Sequence, residues 1–128
     1  MNEPDSKLRR FREEGWDWVE RREAAGGGRV GGAYLFFCRN RGALTRIAEQ
    51  EVLSGGEEVL GARISIDPVK PRNECALELL GQSGNSEAGL GSRYADQPGL
   101  FFAGWRGKGV TAKEFFRKMC LNKHDLIS

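Results

Sequence analysis

One stretch near the end of the chain, Gly99–Met119 (GLFFAGWRGKGVTAKEFFRKM), constrains the fold most. Phe101, Ala103 and Trp105 alternate with Leu100, Phe102 and Gly104, which predicts a strand with apolar groups on both faces. Arg106 and Lys108 follow at once, with Gly107 and Gly109 beside them. Thr111 then opens T-A-K-E, a capping box in which the threonine hydroxyl and Glu114 satisfy each other's backbone N–H groups. Val110 and Phe115 stand where a hydrophobic staple places them, so a helix is expected over Ala112–Lys123. An aromatic strand ending in positive charge suits a phosphate or base surface, and equally an ordinary sheet edge.

Upstream, glycine divides the chain. Eighteen of the 128 residues are glycine, about twice the average usage, and they cluster at Gly26–Gly32, Gly55–Gly56 and Gly81–Gly91 as hinges and loops. Before the first cluster, Asp5 or Ser6 can cap a helix over about 5–25. Leu8, Phe11, Trp18 and Val19 form its apolar stripe. On such a helix Trp16 and Trp18 lie about 200° apart, which puts Trp18 in the core and Trp16 toward solvent or a partner. Gly15, unfavourable in a helix interior, can instead break the segment in two. After the 26–32 hinge, Ala33–Arg39 reads as a buried strand. Arg41–Leu53 has Leu44, Ile47, Ala48 and Val52 at helical spacing. Val59–Asp67 alternates as a strand, with Ala62, Ile64 and Ile66 opposite Arg63, Ser65 and Asp67. Glu74–Leu80 reads as a strand with Cys75, Leu77 and Leu79 inward, or as a short helix. Residues 81–98 form a polar loop without periodicity. The expected architecture is therefore a single α+β domain with a core over 33–123. Its order is α-β-α-β-β-β-α, a mostly antiparallel sheet of about four strands with helices on one face.

Composition narrows the function. Net charge is only +2, so its distribution matters more than its total. No apolar run approaches a membrane span, and the charged start lacks the apolar core of a secretory signal, which points to an intracellular protein without a membrane partner. Cys38, Cys75 and Cys120 are far apart, no CxxC occurs, and the one histidine, His124, has no motif partner. Zinc, a disulfide scaffold and nucleophilic catalysis are thus disfavoured. Gly26-Gly27-Gly28 lacks the context of a phosphate loop. No cofactor and no enzymatic activity are expected.

Basic residues interleave with aromatics in three places: Trp16 with Arg9 and Arg12, Phe37 with Arg39 and Arg41, and Trp105 with Arg106 and Lys108. Arginine and lysine attract phosphate, and an aromatic ring stacks on a base. Arg63 and Ser65 extend such a surface across a sheet. Duplex RNA is read mainly by shape, so no base-reading motif is required. A protein-interaction or adaptor domain using the 81–98 loop is the alternative.

The element order, with Trp16-Asp17-Trp18 near the start, the strand Ala33–Arg39, the helix opening at Ala43-Leu44-Thr45-Arg46-Ile47 and the late Trp105-Arg106-Gly107, resembles the small RNA-silencing suppressors of tombusviruses and aureusviruses. The tombusvirus proteins space their tryptophans three apart rather than two. The resemblance implies a homodimer that binds double-stranded RNA without catalysis and sequesters small interfering RNA or its precursors, in the host cytoplasm. On it, Arg39, Arg41, Arg46, Arg63, Arg106 and Lys108 are the expected backbone contacts, and Trp16, then Trp18, the expected end-stacking residues. Trp105 completes the candidate surface.

Overall fold

The computed structural model describes residues 7–22, 30–54, 58–69 and 73–107. They form a six-stranded, fully antiparallel sheet with two helices. The strands are β1 (Leu8–Glu13), β2 (Trp16–Arg21), β3 (Gly32–Cys38), β4 (Gly61–Ser65), β5 (Cys75–Gly81) and β6 (Phe101–Gly107). Helix α1 spans Arg41–Ser54 and α2 spans Glu87–Arg93. Across the sheet the order is β1-β2-β4-β5-β3-β6. The expected α+β class is observed, with six strands where about four were expected. The final helix and its capping box, Lys108, the Asp5/Ser6 cap and most of the 26–32 hinge lie outside the described residues.

The first segment corrects the expected N-terminal helix. Leu8–Glu13 and Trp16–Arg21 pair as a hairpin, with Phe11 opposite Trp18 and Arg10 opposite Val19. Its two-residue turn, Glu14 at φ +54° and Gly15 at φ +84°, has the left-handed backbone that matches strand twist. Gly15 is therefore a turn residue, not a helix breaker. The hairpin joins the sheet by pairing β2 with β4, and Ile66 N–H donates to the Gly15 carbonyl.

β3 is the most buried strand: Ala33–Cys38 are all buried, as their unbroken apolar run predicts. α1 packs on one face of the sheet through Ala43, Leu44, Ile47, Ala48 and Val52. The Asn40 side chain caps it, accepting from Ala43 N–H at 3.1 Å, an interaction worth about 1 kcal/mol. Arg21 closes its far end, donating from Nη1 to the carbonyls of Val52 and Val59. Leu8, Val19, Tyr34, Phe36, Ile64, Leu77 and Leu79 form the sheet's half of that core. A smaller cluster of Leu35, Phe37 and Ala76, with Trp16, Val69 and Ala103 against it, occupies the other face.

Two local features set the surroundings of Trp105. The 81–98 segment, expected as a loop, contains α2, whose Leu90 is buried. Tyr34 pins its start: the hydroxyl donates to the Ser83 carbonyl and accepts from Ser86 N–H. In β6, Leu35 pairs with Gly104 but Phe36 pairs with Phe102, so Ala103 is an extra residue in a bulge. Gly104 takes φ +92°, and the Glu87 carboxylate accepts from Trp105 N–H at 2.7 Å. The bulge reverses the alternation beyond it. Trp105 consequently shares a face with Phe102 and Tyr34, while Arg106 lies opposite Ala33 on the other face.

Candidate functional site: an aromatic and arginine platform

Strand geometry, in which alternate residues share a face, brings Trp16 and Trp18 together on the face opposite α1. This overturns the helical expectation of about 200° between them. Phe11 joins them from β1, its ring parallel to Trp18 within 2° at a centroid separation of 5.8 Å. Arg63, directly opposite Trp18 on β4, lays its guanidinium 4.0 Å from the Trp16 ring centroid and 5.3 Å from that of Trp18. A cation held over indole faces is attracted by the ring quadrupole. All three aromatic side chains are half-buried, so the cluster reaches solvent.

The same face continues inward. Arg63 Nε donates to Glu78 Oε1 at 2.9 Å, and Arg106 Nη2 reaches that oxygen from β6, also at 2.9 Å. Glu78 is 1 % exposed, and its charge is tolerated there because two guanidiniums face it. Trp16, Trp18, Arg63 and Arg106, four of the expected site residues, thus share one face of the sheet.

Arg41, Arg46 and Trp105 do not join them, and Lys108 lies outside the described residues. Arg41 Nε donates to the Ser65 carbonyl, and its Nη2 bonds Asp17 on the helix side of the hairpin. Arg46 is exposed on α1. Arg39 is exposed just past the end of β3. Trp105 packs on the helix side, 4.9 Å from Tyr34 between ring centroids. Phe11 and Glu78 belong to the platform and were not among the expected residues. Glu78 was signalled by a lone acid in the apolar run CALELL, whereas LRRFRE has no period-two alternation to point to Phe11.

Behind the platform, Asp17 binds two arginines. Arg12 donates to it bidentately, Nε to Oδ1 at 2.7 Å and Nη2 to Oδ2 at 3.1 Å, and Arg41 bonds the same carboxylate. The Arg12 hydrogen bonds hold the Asp17 carboxyl below its usual range, burial opposes them, and Arg41 adds to the lowering. A carboxyl lowered in the folded state stabilises fully above its unfolded value, near pH 4, and that stabilisation is lost as pH falls through the lower folded value. Thermal unfolding followed by circular dichroism should therefore show midpoints that decline below about pH 4, with a shallower decline in Asp17→Asn. An identical acid profile in the variant would remove Asp17 as a contributor.

A second polar cluster lies between α1 and α2, beside a cavity of about 620 Å³. Glu51, 2 % exposed, accepts from Arg93 and from the Tyr94 hydroxyl. Burial, then Glu51, pushes the Tyr94 hydroxyl well above its ordinary range. These groups satisfy one another and tie α2 to α1. Among the described residues no cluster of histidine, cysteine and acids suits a metal, and no helix is long and apolar enough to cross a membrane.

No protein-family profile matches the chain, and no curated protein or solved structure matches it.

Proposed function

We propose that this chain is a non-catalytic protein that binds double-stranded RNA independently of sequence, sequestering small interfering RNA or its precursors and so suppressing RNA silencing. The observation that carries the proposal is the joint placement of Trp16 and Trp18 under one guanidinium, that of Arg63. Arg63 covers one face of Trp16, and the ring surface left to solvent can stack on the terminal base pair of a duplex; every base has a face to offer, so such contact is tolerant of sequence. The arginine supplies positive charge beside the stack, where the terminal phosphates lie. In this assignment Trp16, Trp18 and Arg63 meet the duplex end, with Phe11 supporting the stack. Arg39, Arg106 and Lys108 join Arg63 as the candidate backbone contacts, Arg41 and Arg46 lie on the helix side of the sheet and are left out, and Trp105 serves packing. A homodimer presents two such platforms to one duplex.

A mobility-shift titration with short blunt duplex RNA at two salt concentrations tests this. About four phosphate contacts correspond to a log–log salt slope of about −3 to −4. Absence of binding at low salt overturns the proposal.

A further inference from the structure

Glu78 occupies an unusual position on the platform face. It sits on β5 between Arg63 of β4, its direct cross-strand partner, and Arg106 of β6, which reaches it across β3. Both guanidiniums bond the same oxygen, Oε1. The Glu78 side chain is fully enclosed, whereas those of Arg63 and Arg106 are 22 % and 12 % exposed. One acid therefore serves two cations, and this buried trio carries a net charge of +1.

We propose that Glu78 is the positioning residue of the platform, resting on the RNA-binding function proposed above: it fixes the Arg63 guanidinium over Trp16 and Trp18 before RNA arrives. An arginine stem is long and rotatable, and nothing intrinsic to it selects a pose flat against an indole. Bonding Nε to a carboxylate that cannot swing outward removes that freedom. Arg106 anchors Oε1 from the opposite side. Ser65 Oγ, accepting from Ala76 N–H at 2.9 Å, ties β4 to β5 two residues along from Arg63. A preorganised group binds more tightly than one that must be ordered on contact.

Positioning and simple charge attraction predict opposite signs for one substitution. Glu78→Gln removes a negative charge from the RNA-facing side. If charge alone governs, the variant binds duplex RNA more tightly, with a steeper salt slope. If Glu78 positions Arg63, the variant binds about tenfold more weakly, and its tryptophan emission changes because the guanidinium leaves the indoles. Affinity for short duplex RNA, tryptophan emission and thermal midpoint are measured together on the full chain. Weaker binding and altered emission in a folded variant support the assignment, and equal or tighter binding overturns it. If the wild-type chain binds no RNA, the RNA-binding function fails on its own. Glu78 is then judged by emission, and an unchanged spectrum in the folded variant overturns its positioning role. Should Glu78→Gln not fold, Glu78→Asp keeps the charge but withdraws the carboxylate by one methylene. A loss of about threefold is expected there, and wild-type affinity with a wild-type spectrum overturns the proposal.

Discussion

Trp16→Ala is expected to weaken binding of short blunt duplex RNA by about ten- to a hundredfold, with little change in thermal stability. A base stacked on an aromatic side chain contributes about 1–3 kcal/mol, and 1.4 kcal/mol corresponds to a factor of ten. Trp16 also supplies the nearer of the two ring faces under Arg63, so its removal frees the cation as well. The stability effect is small because Trp16 is half-buried near the hairpin turn, next to the small cluster rather than inside the larger core. Trp16→Phe, which keeps a flat ring, should recover part of the loss. Trp18→Ala should show a smaller direct affinity loss with a larger structural effect, because Phe11 and Arg63 flank its ring. Its ring stacks on Phe11, and its indole N–H donates to the Glu13 carbonyl at 3.4 Å. Fluorescence anisotropy at one fixed salt concentration measures all three variants. An unchanged affinity in Trp16→Ala would exclude stacking at this ring, even if phosphate contacts held the RNA.

That pair of tryptophans also shows where sequence patterns mislead. Leu8, Phe11, Trp18 and Val19 satisfy helical spacing, but the same segment also fits a hairpin about a two-residue turn, with Leu8 and Val19 on one face and Phe11, Trp16 and Trp18 on the other. The turn is Glu14-Gly15, which lacks the asparagine or aspartate that usually marks such a hairpin. Tertiary pairing with β4 decides between the two patterns, and it is invisible locally. By contrast, β3, α1, β4 and β5 were legible because their apolar runs and spacings admit fewer alternatives. α2 was hidden because Gly89 and Gly91 dilute its helical signal; a Cβ at Gly91 would come within 3.1 Å of the Phe102 ring. Glu78 was legible only as an oddity, since its partners Arg63 and Arg106 lie 15 and 28 residues away in sequence. Register across four strands, β4, β5, β3 and β6, brings them together, and register is set by the whole sheet.

The bulge in β6 changes the meaning of Trp105 in the same way. Simple alternation puts Trp105 on the face of Phe101, and the extra residue at Ala103 puts it instead with Tyr34 and Phe102. There its ring lies against a glycine surface: a Cβ at Gly84 would stand 2.7 Å from the Trp105 Cγ, and one at Gly32 would stand 2.7 Å from Cζ2. Gly84 leaves room for the indole, and Gly32 for both the indole and the Arg106 carbonyl, with which a Cβ there would clash. Trp105→Ala should therefore act on stability. Full truncation of a buried aromatic costs about 3–5 kcal/mol, and for this half-buried ring about 2–3 kcal/mol is expected. For a chain of this size that lowers the thermal midpoint by about 10 °C. The affinity of the folded variant for duplex RNA should stay within about twofold of wild type, because Trp105 lies across the sheet from Trp16, Trp18 and Arg63. Calorimetry or circular dichroism gives the midpoint, and anisotropy well below it gives the affinity. The reverse pattern, RNA binding lost with the midpoint unchanged, would place Trp105 in the ligand surface and separate RNA binding from the Arg63 platform.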